Sequence, residues 1–277
     1  MKIFSGCLLC CDVDGTLLSN GIIPQENIEK IRFFAENGGT FALATGRSIG
    51  AVSAVEKEIK SISKAVFSNG GMIYDYIDDK ILFEAQIPKE DYEIIYKVKE
   101  NYPEIGIELH FGKEVAVYNK TSETDDHEFY ENLPSNIYTK EQISKVSLNK
   151  VLYTLGDERN AEKIRRLVEK TPNFCEFLNT SATFDGRKRF YLEQVPIGIS
   201  KAEGVKKLVN ILGIEEGNLF AIGDYYNDLE MLRFASLSAA PCNSPKEVKE
   251  KAAYITKNVE NGAVADFIDY LTKMRRK

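Results

Sequence analysis

Histidine is nearly absent, cysteine is sparse and odd in number, and no long apolar or basic run occurs; each shortage removes a class of function. Only His110 and His127 exist. They lie far apart without H-E-x-x-H spacing, which leaves little for a histidine zinc site or a phosphohistidine mechanism, and both are expected at the surface. Five cysteines without a recognisable secretory signal argue against a disulfide framework and read as reduced thiols. Cys7 and Cys10 match C-x-x-C, but residues three apart in a strand point to opposite faces and cannot grip one metal together. Lys and Arg total 36 against 42 Asp and Glu, a net charge of −6 with no strongly basic stretch, so the footprint of a nucleic-acid binder is missing. No apolar segment approaches the roughly 20 residues of a membrane span, and Ile3 to Cys10 is too short and too soon followed by acids to be a signal peptide. A cytoplasmic protein with neither nucleic-acid nor membrane partners is the expectation.

The 277 residues exceed the usual single domain and suggest a main domain with a second module. Short apolar runs alternate with helical periodicity, the pattern of β-α-β units around a parallel sheet. The spacing predicts strands at Leu8 to Cys11, Thr40 to Ala44, Ala65 to Phe67 and Leu219 to Ile222. It predicts helices after Pro24, around Ile49 to Ile59, over Lys201 to Leu212 and from Asn227. From about Phe83 to Arg189 the texture changes to alternating strands such as Ile105 to His110 and Glu114 to Tyr118, with a charged helix over Glu158 to Lys170. The fold class is therefore α/β. A Rossmann-like core of residues 1–82 and 190–277 holds an inserted α+β module of residues 83–189.

Chemistry concentrates where predicted strands end, the place where open parallel sheets bind ligands. Asp12-Val13-Asp14-Gly15-Thr16 ends the first strand. One carboxylate there can attack phosphorus while the other, two residues on, donates and recovers a proton; alone, the motif is also an ordinary acidic turn. Gly223-Asp224-Tyr225-Tyr226-Asn227-Asp228 ends the strand Leu219 to Ile222. Asp224 and Asp228, four apart at a helix start, can share one face, and two like charges about 5 Å apart cost roughly 3 kcal/mol at an effective dielectric near 20. A hard cation would relieve them, and oxygen-only ligands that leave room for water and phosphate favour Mg²⁺. The alternative makes Asp224 a helix cap and Asp228 a surface acid. Thr45-Gly46-Arg47 can point a hydroxyl and a backbone N–H at phosphate oxygens. Lys201, at a helix start, can balance a carboxylate and the charge of transfer.

Taken in order, D-x-D, Thr-Gly, a late Lys and G-D-x-x-N-D, the chain resembles the haloacid dehalogenase-like hydrolase superfamily, specifically its Cof-like phosphatases with a large α/β cap. The resemblance covers nearly the whole chain, including Cys242-Asn243-Ser244-Pro245 to Asn261-Gly262, similar to a closing segment of that family. It implies that Asp12 is the nucleophile and a Mg²⁺ ligand, and that Asp14 is the acid/base and gives the metal its backbone carbonyl. Asp224 would complete the metal ligands with Asp228 in support. Thr45 and Asn227 would hold the phosphoryl group, Lys201 would pair with Asp12, and Asn69 and Arg47 would lie beside the substrate, a small phosphorylated metabolite. Tyr225, where relatives often carry a smaller residue, is expected to narrow the pocket; Asn261 stands where an acid is common. Arg187, Lys188 and Arg189 are candidates for the cap's substrate face. The closest alternative is a phosphomutase or phosphotransferase that uses the same aspartate; a dehalogenase has no need of the acid/base Asp14, and a non-catalytic Mg²⁺ or phosphate-binding regulator has no need of the complete set.

Overall fold

The computed structural model describes residues 2–131, 133, 136–168, 173–182 and 188–276, with the side chains at 130, 168 and 179–182 left aside. In chain order the strands and helices are β1 (Leu8–Cys11), α1 (Gln25–Glu36), β2 (Thr40–Ala44), α2 (Ser53–Glu58), β3 (Ile62–Phe67), β4 (Met72–Asp75), β5 (Lys80–Glu84), α3 (Tyr92–Asn101), β6 (Gly106–Phe111), β7 (Glu114–Asn119), α4 (Ser122–Glu131) and β8 (Asn136–Ile137). They continue with α5 (Lys140–Ile143), β9 (Lys150–Leu155), α6 (Asn160–Val168), β10 (Phe174–Ala182), β11 (Lys188–Pro196), α7 (Lys201–Leu212), β12 (Leu219–Ile222), α8 (Leu229–Phe234), β13 (Leu237–Pro241), α9 (Lys246–Lys249), β14 (Tyr254–Thr256) and α10 (Ala263–Arg275). Two compact units result: Met1–Arg47, Val52–Phe83 and Ser200–Lys277 form one, Ser48–Ala51 and Glu84–Ile199 the other.

The first unit is built on a sheet of order β14-β13-β12-β1-β2-β3-β4-β5. The pairings from β14 to β3 are parallel, and β4 runs antiparallel to β3. Strands buried on both faces explain the near-continuous apolar runs Leu8 to Cys11 and Leu219 to Ile222. On one face Leu8, Cys10, Ala42 and Val66 pack against Ala202, Val205 and Leu208 of α7. In α1 the buried Ile28, Ile31 and Phe34 recur at helical spacing. The buried Asn27 ties helix to loop, donating to the Leu17 carbonyl at 3.1 Å and accepting from Ala265 N–H at 2.9 Å. From β1 the strand order steps outward both ways, to β2 and to β12, so β1 and β12 flank the topological switch point, where a crevice opens beyond the strand ends.

The second unit has a sheet of order β10-β11-β9-β6-β7-β8. Ile95, Val98 and Ile164 from α3 and α6 pack with Ile107, Leu109, Val151 and Tyr153, the apolar set of alternating strands. The expected return to the main domain at residue 190 falls inside β11, whose residues 190–194 pair with β9. That hydrogen bonding keeps the segment with the inserted sheet. The surface positions expected for the histidines are corrected too. His110 and Glu108 alternate onto the sheet face opposite the Ile107 and Leu109 set, and both are buried. His127 of α4 is largely buried, its Nδ1 2.9 Å from Glu108 Oε2. Burial opposes its charge, but the Glu108 carboxylate prevails and raises its pKa, whereas burial, Lys150 and His127 push His110 well down. Of the proposed basic face, Arg189 is buried and paired with Asp126 of the same unit, Lys188 is exposed, and Arg187 lies outside the described residues.

Candidate active site

Parallel pairing aligns Cys11 with Ile222, so the residues next in each chain, Asp12 on one side and Gly223-Asp224 on the other, emerge side by side at the strand ends. The Asp12 backbone N–H donates to Ile222 at 3.0 Å and holds that alignment one residue beyond β1. Asp12 is 5% exposed and Asp228 fully buried. Between them sits the Lys201 ammonium, donating to Asp12 Oδ1 at 2.5 Å and to Asp228 Oδ1 at 2.7 Å. The other oxygen of Asp228 accepts the backbone N–H groups of Asp224 and Tyr225, each at 3.1 Å. Asp228 is therefore the brace of the loop rather than a surface acid.

Lys201 reaches this point because α7 begins there. Ser200 caps the helix by accepting Glu203 N–H at 3.2 Å. Gly70, at φ +103, lets the backbone of the preceding turn close on that helix start: a Cβ there would lie 2.1 Å from the Ser200 carbonyl oxygen. Gly15, at φ +78, plays the matching part beside the acids, since a Cβ would lie 2.3 Å from Asp224 Oδ2.

Carboxylate oxygens of Asp12, Asp224 and Asp228 fall within 4.8 Å of one another. Burial, then Asp228, raises Asp224 to about 6, with Lys201 and the Thr16 hydrogen bond opposing. Burial also raises Asp12 well above the usual carboxylate range; Lys201 works against it, while Asp228, Asp224 and Asp14 add to the rise. Burial disfavours the Lys201 ammonium, yet Asp12 and Asp228 outweigh it and the lysine stays protonated. Three carboxylates facing one ammonium leave negative charge in excess, and the donors are all oxygen. That set fits a hard divalent cation.

The remaining residues ring this group. Thr45 is buried after β2, its Oγ1 accepting Arg47 N–H at 3.1 Å. Gly46 lies against the Asn69 amide, and Asn69 accepts from Asn227 Nδ2 at 3.3 Å. Asp14 departs from the group of three: its carboxyl is largely exposed and gripped at two points by Arg47, both at 2.8 Å. Tyr225 follows Asp224 in this loop. Its ring is half exposed against Tyr226, with centroids 4.9 Å apart, and what it brings inward is its backbone N–H.

Two contributors escaped the sequence reading. Thr16, buried, donates to Asp224 Oδ1 at 3.3 Å; its place in the Asp12 motif was the available signal. Asn243 donates to the Gly15 carbonyl at 2.9 Å and accepts Val259 N–H at 3.0 Å, so the closing segment braces the Asp12 loop. The sequence named Asn243 only as part of the closing segment, and nothing local says that it braces a loop 228 residues away.

A family model described as haloacid dehalogenase-like hydrolase matches residues 9–268. The chain belongs to that family. By sequence this hydrolase is similar to the 5-amino-6-(5-phospho-D-ribitylamino)uracil phosphatase YwtE of Bacillus subtilis, 26% identical over 95% of this chain and 97% of the relative. It is also similar to the stress response protein YhaX of the same organism, 27% identical over 98% and 95%. Among solved structures it shares its fold with a haloacid dehalogenase-like hydrolase from Bacteroides thetaiotaomicron, at a TM-score of 0.82 and 24% identity over 96% and 99% of the two chains. The subclass IIB sugar phosphatase BT4131 aligns at a TM-score of 0.79 and 17% identity over 96% and 99%. Among the described residues, no helix of this hydrolase is long and apolar enough to cross a membrane.

Proposed function

We propose that this hydrolase is a Mg²⁺-dependent phosphatase that cleaves phosphate monoesters of small metabolites, sugar or sugar-alcohol phosphates foremost, through an aspartyl-phosphate on Asp12. The observation that carries the proposal is the buried Asp12–Lys201–Asp228 chain set against Asp224. With Oδ1 engaged by Lys201, Asp12 keeps Oδ2 for in-line attack on phosphorus. Thr45, the Gly46 N–H and Asn227 hold the phosphoryl oxygens, and Lys201 offsets their charge. Asp14 gives its proton to the departing alkoxide as the P–O bond breaks. Water then attacks the aspartyl-phosphate, Asp14 takes back a proton, and Asp12 is restored with inorganic phosphate as product. Asp12, Asp224 and the Asp14 carbonyl would hold Mg²⁺, with Asp228 in support; when bound, the ion supplies charge neutralisation at the phosphoryl oxygens.

The activities that name two relatives, on a phosphoribityl compound for YwtE and on sugar phosphates for BT4131, support a polyol leaving group. The inserted unit, residues 84–199 in the main, is assigned the choice among such groups. Phosphate release from a panel of monoesters, with and without Mg²⁺, tests the proposal beside Asp12→Asn. Magnesium-dependent release that falls about a thousandfold or more in the variant supports it. Transfer to a second sugar in place of release makes the protein a phosphotransferase, and no reaction with any ester overturns the reading.

A further inference from the structure

Asp14 and Arg47 hold each other in a two-pronged ion pair. Arg47 Nε donates to Oδ2 and Nη2 to Oδ1, each at 2.8 Å. The pairing is built in by the sheet, because Asp14 follows β1 and Arg47 follows β2, neighbours in parallel register. Its root is firm as well: Arg47 N–H donates to Thr45 Oγ1 at 3.1 Å, and the Arg47 carbonyl accepts Ser68 N–H at 3.1 Å. Meanwhile Asp12, Asp224 and Asp228 gather without the Asp14 carboxyl.

A carboxylate with both oxygens accepting from one guanidinium has a fixed orientation, and each oxygen is committed to an N–H donor rather than turned to a leaving group. The planar fork that matches a carboxylate also matches phosphate. We propose that Arg47 is a positioning residue for Asp14: it parks the carboxyl while the site is empty and, when a phosphate monoester enters, passes N–H bonds from Asp14 to the ester's phosphoryl oxygens. One Asp14 oxygen is then free beside the leaving group. The inference rests on the reading of Asp14 as proton donor. In the substrate complex the released Asp14 carboxylate takes a proton from water and is then the acid. Its O–H proton goes to the ester oxygen, which keeps the electron pair of the breaking P–O bond, and the carboxylate left behind accepts a proton from the attacking water. Arg47 changes partner and loses no proton.

The test exploits leaving-group chemistry. An alkoxide needs a proton to depart, whereas p-nitrophenolate leaves without one. First-turnover rate and KM are to be measured for the best alkyl ester of the panel and for p-nitrophenyl phosphate. Arg47→Gln, Arg47→Lys, Asp14→Asn and the double variant Asp14→Asn/Arg47→Gln are compared with wild type, thermal melts having established that each folds. Arg47→Gln is expected to slow the alkyl ester about a hundredfold and the aryl ester at most a few-fold. Arg47→Lys, a point charge without the fork, should restore KM while leaving the alkyl rate low. The double variant should be no slower on the alkyl ester than Asp14→Asn, within a factor of a few, since both act through one proton. Equal losses on both esters, or a change confined to KM, reduce Arg47 to a phosphate ligand and overturn the inference. If Asp14→Asn itself fails to separate the two esters, the proton-donor reading falls, and the inference with it, whatever Arg47→Gln does.

Discussion

Lys201 is the residue on which the charge balance of the site turns. Its ammonium is the cation between two buried carboxylates, at 2.5 and 2.7 Å. Replacing it with methionine keeps the length of the side chain but leaves Asp12 and Asp228 facing each other uncompensated. Removing one partner of a buried ion pair costs about 3–5 kcal/mol. Lys201→Met should lose about that much stability in urea unfolding and regain part of it with Mg²⁺; a loss below about 1 kcal/mol would mean the carboxylates are already balanced elsewhere. In the amino-acid sequence this residue is one lysine among 36 basic residues, and only its order among the other motifs singled it out. Asp12 and Asp224 were easier to read, because Asp12 comes directly after an apolar strand and Asp224 follows one across a single glycine. His110 was misread, since an imidazole two residues from Glu108 in an alternating strand looks identical whether that face is wet or covered, and His127 of α4 was misread because the Glu108 it meets lies in another element.

At the scale of elements, the start of α7 is set by backbone contact with the turn after β3. Gly70→Ala places a Cβ 2.1 Å from the Ser200 carbonyl at φ +103. A left-handed alanine costs roughly 1–2 kcal/mol before any clash. The variant should lose about 3 kcal/mol or more in denaturant melts and at least about tenfold in activity, because relief comes only by moving Lys201. Gly198→Ala is the control. Its φ of +78 carries the same strain, but nothing lies within 4 Å, so about 1 kcal/mol and unchanged activity are expected. Equal effects of the two would remove the case for a seated helix. The sequence periodicity located β1, β2, α7 and β12 at the residues where they occur, since each is a continuous apolar run or a capped amphipathic stretch. It erred where side chains reach back to the backbone. The helix expected from Asn227 begins at Leu229 after a short turn over Tyr226–Asp228, because Asp228 draws in the N–H groups of Asp224 and Tyr225. The helix expected over Ile49 to Ile59 is a turn at Gly50–Val52 followed by the short α2.

Over the whole molecule, pH and the proposed metal would act on the same carboxylates. The Asp224 carboxyl is raised to about 6 from 3.8. An acid whose folded pKa lies above its unfolded value contributes stability that is complete below about pH 4 and lost as pH rises through about 6. Mg²⁺ held as proposed would compete with that proton and favour the ionised folded state. The rise in melting temperature on adding Mg²⁺ should therefore be small near pH 5, grow through about pH 6 and level off above about pH 7. Asp224→Asn should flatten the profile. A Mg²⁺ shift of equal size at pH 5 and pH 8 would place the ion elsewhere.

The amino-acid sequence by itself determined the α/β class and the order of the acidic, Thr-Gly and lysine motifs along the chain. Local apolar patterns and turn chemistry are enough to specify strands, helices and the loop residues at their ends. Tertiary structure alone decided the rest. Asp12 and Asp224, distant in the chain, become neighbours because β1 and β12 pair at the switch point. Asp14 faces Arg47, 33 residues on, because β1 and β2 pair beside it. Asn243 braces Gly15 across 228 residues. Strand register and helix seating decide which carboxylate is buried beside an ammonium and which is held by a guanidinium. Those are long-range relations that no local run of residues encodes.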